Sequence, residues 1–270
     1  MRAVKNIEKI TKAMKMVAAS KMRHELARLE NGRGFGTNSI DMIFKCDTYM
    51  QRKAPAEPTE ASEVVIPITT DKGLCGGINS GIVKDTKLHL EGKPRNKVSL
   101  LVIGEKGSSA FVRPFPDILK ANISELPSPL NYPAAMSLAD TIVKESADKD
   151  KIVIIYNEYK SAVSTEIKRL ELVPKKRFLE TMRFQRLYNM SRPDASTTVP
   201  ALYDLYVSAN VFTSLLNNLA SEQSARMSAM ENASKNAGEI IGKLELEYNR
   251  VRQTKITLEL IEIISGANAV

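Results

Sequence analysis

All 12 prolines of this chain lie between Pro55 and Pro200, which leaves both ends free to run as uninterrupted helix. Proline removes a backbone donor and clashes with the preceding turn, so long proline-free stretches are where a long helix can form. The last 70 residues, Ala201 to Val270, hold none, and their first glycine is Gly238. A helix from about Ala201 to Ser265 reaches roughly 100 Å at about 1.5 Å per residue, about three times the width of a small domain. Most of it cannot be covered by its own chain. Such a helix must bury its apolar stripe against a partner, which predicts a shaft carried on a globular head.

The first arm carries Val4, Ile7, Thr11, Met14 and Ala18 in alternating steps of three and four, the pattern of a coiled-coil seam. It weakens at Asn31-Gly32-Arg33-Gly34, where glycines invite a helix end, and residues 39–52 can resume it. The last arm repeats the spacing at Phe212, Leu216, Leu219, Met230, Ala233, Ala237, Ile240, Leu244 and Val251. Its centre, from Ala220 to Ala237, is rich in Ala and Ser, which let another helix approach closely. The first arm is therefore expected alongside that centre, antiparallel because the head separates the two. The net charge of +8 is unevenly placed. Residues 1–34 hold nine basic and three acidic side chains, a local +6, and residues 201–270 hold six basic and eight acidic, a local −2. Two helices of complementary charge lying together follow from this, with positive charge left over for an acidic partner.

The period changes in the middle. VVIPITT, VSLLVIG and DKIVIIYNEY are short β-branched runs that read as buried strands, separated by expected helices at about Gly77 to Leu90 and Pro133 to Asp148. Residues 160–187 read as further strand and connection, and the proline-rich KAPAEPTEAS before the first strand reads as a linker. The fold class is α/β plus a long coiled coil. Residues 1–54 form the N-terminal coiled-coil helix, 64–190 a small Rossmann-like, mostly parallel α/β head, and 200–270 the C-terminal coiled-coil helix of an antiparallel shaft.

Chemistry is hard to find in this chain. TTDKGLCGGIN follows a strand and opens a helix, where phosphate loops sit, yet it contains neither G-x-G-x-x-G nor G-x-x-x-x-G-K-[ST]. A tight turn exposing Asp71 and Lys72 is the better reading, and Gly104 and Gly107 in GEKGSS are equally weak as a phosphate cradle. No nucleophile elbow appears. Cys46 and Cys75 make no disulfide framework or zinc site, and His24 and His89 have no companion ligands nearby. No cofactor and no metal are expected. No apolar run approaches the roughly 20 residues of a membrane span. The start, MRAVKNIEKITKAMKM, lacks the apolar core of a secretory signal; it is basic and helical as an organellar presequence is, but its spacing suits a packed helix as well. There is no Trp and no aromatic interleaving among the arm's lysines, so nucleic acid is not an expected partner.

KNIEKITKAMKMVAASKM (Lys5 to Met22), TTDKGLCGGIN (Thr69 to Asn79), SEQSARMSAMENASKNA (Ser221 to Ala237) and NRVRQTKITLELIEIISGA (Asn249 to Ala267) strongly resemble the gamma subunit of the F-type ATP synthase, the central rotating stalk. These segments cover about a quarter of the chain, in the family's order. The resemblance implies a non-catalytic subunit of a proton-transporting complex. Its paired arms thread a ring of three alpha and three beta subunits, the C-terminal tip sits in an apolar bearing, and rotation changes each site's nucleotide affinity in turn. It also implies delta/epsilon-type stalk subunits and the membrane c-ring at the foot, with the chain peripheral to the membrane and not spanning it. The endings look closest to the mitochondrial branch, placing the chain on the matrix side of the mitochondrial inner membrane; the bacterial alternative is the cytoplasmic face of the plasma membrane.

Carried over residue by residue, the family's contacts fall on Arg252 and Gln253, with Thr257 and Glu262 beyond them, and Met14 matches a shaft position facing the ring's lower lip. Lys12 and Lys15 stand nearby as partners for acidic residues there. Lys72 occupies a position where the family usually has Arg, so charge is kept and the bidentate fork is lost. Lys255 brings charge where a small or apolar residue is common. The family usually carries a further stretch before Arg2, and the chloroplast type's cysteine-bearing insertion is not seen. Two rivals remain: a nucleotide-binding α/β enzyme, which nucleotide binding by the isolated chain would reveal, and a coiled-coil nucleic-acid or scaffold adaptor. A steep salt dependence of DNA binding would favour the adaptor.

Overall fold

The computed structural model describes residues 1–34, 61–162, 164–180 and 195–267. Cys46, the resumed helix over 39–52 and most of the expected linker lie outside the described residues. Two helices dominate. The first, α1 (Arg2–Arg33), packs along the last, α6 (Ala195–Ala267), whose 73 residues span about 110 Å at about 1.5 Å per residue. Lys5 meets Glu245 at 2.9 Å, Lys15 meets Glu231 at 2.7 Å, and Gly32 lies against Leu216. One set of numbers rises as the other falls, so the pair is antiparallel, with the expected opposite charges in contact. The helix α6 starts earlier than expected and accommodates Pro200 near its beginning.

The head is a five-stranded sheet in the order β3-β2-β1-β4-β5. Its strands are β1 (Glu63–Pro67), β2 (Val98–Ile103), β3 (Leu119–Ile123), β4 (Lys151–Tyr159) and β5 (Thr165–Leu172). The first four are parallel and β5 runs antiparallel beside β4. The helices α2 (Ile78–Leu90), α3 (Glu105–Phe111) and α4 (Tyr132–Glu145) supply the crossovers, and the short α5 (Lys175–Glu180) follows β5. Both β1 and β2 are buried along their whole length, as strands covered on two faces must be. One face packs Val64, Ile66, Leu101 and Ile154 against α4, α6 and Leu29 of α1; the other packs Val65, Leu100, Val102 and Ile155 against Ile82 of α2 and Phe111 of α3.

The long helix is thus a layer of the head as well as a shaft. The start of β4 lies level with the start of α6, because Ile152 pairs with Leu172 and Tyr203 donates to the Val173 carbonyl at 3.0 Å. The end of β4 lies level with Asn218, which accepts from the Asn157 amide at 2.9 Å. The parallel strands therefore point along α6 toward its C-terminal tip.

Candidate partner-binding surfaces

The seam between the arms keeps Val4, Thr11, Ala18, Met230, Ala237 and Leu244 of the sequence reading and differs at alternate positions, where Glu8 replaces Ile7 and Ile241 replaces Ile240. On α1 the covered positions are Val4, Thr11, Ala18, Glu25 and Gly32, alternating with Glu8, Lys15, Met22 and Leu29. Ile7 is 52% exposed and lies off it. On α6 the seam runs through Met230, Ser234, Ala237, Ile241 and Leu244; Ile240 and Val251 are exposed. Gly32 does not merely end a helix: a Cβ there would sit 2.7 Å from Leu216 Cδ1, so any larger residue must displace that side chain. Arg28, oriented by Glu25 of its own helix at 3.0 Å, fastens the arm to the head by donating to the Leu130 carbonyl.

The exclusion of Ile7 leaves a second apolar stripe on α1. Ile7, Ile10 and Val17 are all more than half exposed, and half-buried Met14 stands between this stripe and the seam. Lys12 and Lys15 flank it, but both hold carboxylates of this chain: Lys12 pairs with Glu8 at 2.6 Å and Lys15 with Glu231. Exposed pairs of this kind are worth only about 0.2–1 kcal/mol, so either lysine can exchange its partner cheaply.

The ligand position of an open α/β sheet is the crevice at the strands' C-terminal ends, where crossovers diverge to opposite sides. In this sheet that point lies between β1 and β4, and α6 occupies it. Asn218 donates toward the Thr69 carbonyl, Ser221 donates to the Asn157 carbonyl at 3.1 Å, and Ser224 donates to the Ala162 carbonyl at 2.8 Å. The loop glycines are occupied too. Thr69 Oγ1 accepts from the Gly107 N–H at 2.9 Å and donates to the Ile103 carbonyl at 2.9 Å, and a Cβ at Gly104 (φ +100°) would meet the Thr69 carbonyl oxygen at 2.6 Å. A threonine side chain takes the place a phosphate would need.

The TTDKGLCGGIN turn is likewise satisfied from within. Asn79 accepts from the Thr70 N–H at 3.1 Å and donates to Thr70 Oγ1 at 2.7 Å, and buried Cys75 lies 3.3 Å from the same amide. Asp71 is not presented outward as expected: it is half-buried and accepts from the Glu105 N–H at 3.1 Å. Lys72 is exposed. Behind the turn Arg226 donates to the Gly73 carbonyl at 3.3 Å and to Glu222 at 2.6 Å. Burial pushes the Glu222 carboxyl above its ordinary value, and the Arg226 guanidinium offsets only part of that. His89 also has company: it shares Glu63 with Lys93, at 3.2 and 2.6 Å. Burial raises the Glu63 carboxyl, and the two donors outweigh it, holding the group below its ordinary value.

From Glu245 to Ala267 every residue of α6 is exposed. Arg252, Gln253, Thr257 and Glu262 all lie on this stretch and are not gathered into a cluster. At about 100° per residue they spread over about 220° of the helix circumference. Thr257 donates back to the Gln253 carbonyl at 2.9 Å. Lys255 reaches Glu259 one turn on at 3.7 Å, which gives its charge a neighbour on the same helix. Among the described residues no group of His, Cys, Asp or Glu could hold a metal ion, and no helix is long and apolar enough to cross a membrane. The polar packing of Asn157, Asn218, Ser221 and Ser224 was missed by sequence reasoning; its one signal is a run of Asn and Ser at three-and-four spacing inside a proline-free helix.

The family whose profile is described as ATP synthase matches residues 1–270. The mitochondrial ATP synthase subunit gamma of Arabidopsis thaliana is 38% identical over 280 residues, spanning 100% of this chain and 83% of the relative. The ATP synthase gamma chain of Pelagibacter ubique is 35% identical, spanning 99% of this chain and 96% of the relative. Among solved structures, the central stalk and c-ring of the Tetrahymena thermophila mitochondrial ATP synthase matches with a TM-score of 0.74 and 42% identity, over 83% of this chain and 99% of that one. The rotor of the Euglena gracilis mitochondrial ATP synthase shares the fold at a TM-score of 0.70 and 21% identity, over 94% of this chain and 95% of that one.

Proposed function

The chain belongs to the ATP synthase gamma-subunit family, and from that premise we infer how its geometry works. It is the central-stalk rotor subunit of an F-type ATP synthase, a non-catalytic member of the complex that couples proton-driven rotation to ATP synthesis. The observation that carries the mechanism is the bare tip: Leu258, Leu260, Ile261, Ile263 and Ile264, pointing in nearly every direction, are each more than half exposed. An apolar helix end without a sleeve is an aggregation liability, so the tip requires a surrounding bearing.

The bearing is the apolar upper collar of a ring of alpha and beta subunits. Arg252 and Gln253 bind a catalytic-subunit loop, and Thr257 and Glu262 follow higher up. Their spread around the helix suits a shaft that meets different ring subunits on different sides. Met14 and the Ile7–Val17 stripe face the ring's lower lip, with Lys12 and Lys15 trading their intrachain carboxylates for acidic ones there. Lys72, on the turn braced by Arg226, offers a point charge on the same side. A ring with threefold symmetry around an asymmetric shaft holds its sites in different states, and turning the shaft shifts each site's affinity by differential contact. Catalysis stays in the ring, because α6 fills the crevice where the head would otherwise take a nucleotide.

The working parts of this reading are a first arm over 1–54, a head over 64–190 and a second arm over 200–270, with α6 serving head and shaft at once. The foot meets delta/epsilon-type subunits and the c-ring, on the matrix side of the mitochondrial inner membrane and peripheral to it.

Native mass spectrometry of the complex released gently from its own membranes tests the assembly. One copy of this chain with three alpha and three beta subunits is the expected result; the free chain, or an equal ratio with a single partner, overturns it. Removing Arg252 through Val270 should then leave ATP hydrolysis while weakening its coupling to proton movement. Unchanged coupling would count against the assigned tip contacts.

A further inference from the structure

The head carries a further surface, not yet matched to any partner at the foot. On the sheet face turned away from α6, a groove of 760 Å³ runs between α2 and the turn joining α3 to β3. Its floor is apolar, built from Val83, Val98, Phe115 and Ile118, with Leu88 at its edge still 55% exposed. Its rim is basic. Lys84 and Lys87 line it one turn apart on α2, and neither makes an ion pair among the described residues. Asp85, between them in sequence, cannot serve either, because it turns away and takes Arg169 through two hydrogen bonds of 2.8 and 2.7 Å. Arg95 closes the far side, 5.8 Å over the Phe115 ring and only loosely held by Asp117 at 3.4 Å.

The ordinary role of surface lysines is solvation, and two of them over open water would need no further account. These two stand over an apolar trough that the described part of the chain leaves uncovered. The trough deepens toward Leu90 and Val98, where α2 ends and β2 begins. That is the N-terminal end of the parallel strands, and the strands point toward the α6 tip. The groove therefore opens on the side of the head away from the catalytic ring.

We propose that this groove is the docking surface for an acidic segment of another protein of the complex. The segment lays an apolar side chain against Leu88 and Phe115 and carboxylates against Lys84, Lys87 and Arg95. Carboxylates at the rim steer and orient such a segment, while the buried apolar contact holds it. The proposal rests on the rotor reading for its orientation and for the existence of neighbours on that side.

Zero-length carbodiimide coupling of the intact, membrane-extracted complex tests it, since the reagent joins amines only to carboxylates already in contact. The expected product links Lys84 or Lys87 to an Asp or Glu of a different subunit. The K84Q/K87Q variant, altered only at two exposed positions, should lose that link and retain the coupled subunit about tenfold less tightly at low salt, as two rim charges warrant. Links confined to carboxylates of this same chain would overturn the proposal. So would equal reactivity of the two lysines toward an amine reagent in the complex and in the isolated chain. Shielding in membranes that vanishes on detergent extraction, with every subunit retained, would assign the groove to a lipid surface and overturn it too. Native mass spectrometry of the same sample keeps the outcomes apart: a complete complex with unlinked lysines sinks the groove and leaves the rotor standing.

Discussion

Two stretches of the same helix meet opposite surroundings. Between Tyr203 and Ser224, where α6 lies against both the head and α1, the buried face sets Tyr203, Val207, Val211, Leu215 and Leu216 among Ser208, Ser214, Asn217, Asn218, Ser221 and Ser224. Between Leu258 and Ile264, which the described residues leave uncovered, the helix carries two leucines and three isoleucines. The apolar side chains of the inner stretch are repaid by burial and those of the outer one are not, since covering a Leu or Ile fully is worth about 1.5–3 kcal/mol. The inner stretch is squeezed between two neighbours at close range, so small polar residues sit among its apolar ones; Ser221 and Ser224 donate to carbonyls of β4 and the following loop, whereas Asn217 Oδ1 meets no donor among the described residues. The outer stretch is shaped by a neighbour that belongs to another chain.

The largest effect that would sharpen this contrast is on stability. Leu215→Ala, at a site 2% exposed, should cost about 2–5 kcal/mol in denaturant unfolding of the isolated chain. Ile261→Ala should cost almost nothing in the same experiment; equal losses at the two sites would break the comparison. Gly32→Val should cost about 1–3 kcal/mol, because its Cβ meets Leu216 Cδ1 at 2.7 Å and the buried Leu216 side chain must repack around it and its two methyls.

A similar loss of about 1–3 kcal/mol is expected for Asn218→Ala, which leaves the Asn157 amide buried without its acceptor. A change below a few tenths would show that the polar face of α6 is not needed for seating the head. Glu222 supplies a pH test. Its folded pKa is raised, so the neutral carboxyl is the favoured buried form, and its contribution is complete below the ordinary carboxylate value. Stability should fall as pH rises from that value through the raised folded one, and E222Q should flatten this slope. A slope of the opposite sign would show that Arg226 governs the site. Smallest of all, Lys5→Ala should cost no more than about 1 kcal/mol, because its pair with Glu245 is half exposed.

The long elements were legible for one reason: proline and glycine leave α1 and α6 alone, and three-and-four spacing persists across both. The fully buried strands β1 and β2 and the buried centre of β4 were legible as β-branched runs, but β3 was not. In Leu119–Ile123 half-buried and exposed residues alternate, with Lys120 and Asn122 diluting a segment of only five residues. Which residue of a neighbouring pair enters the seam was also hidden. Choosing Ile7 over Glu8, or Ile240 over Ile241, rotates the stripe by about 100°, and the arriving partner settles that, not the helix. At Gly32 the sequence supported a helix end, while the observed reason is a contact with Leu216, distant in sequence and invisible without the fold. The candidate contacts at Arg252, Gln253, Thr257 and Glu262 came through resemblance alone, since charge and polarity on a solvent-facing helix carry no signal of their own.

No joint separates the head from the tip, because the helix seated under the sheet at Asn218 continues without interruption to Ala267. In mechanical terms the sheet is clamped to a continuous rod, with the bonds at Asn157 and Asn218 as the grip. A twist of the head reaches the tip as wind-up spread along one helix rather than as slip at a hinge.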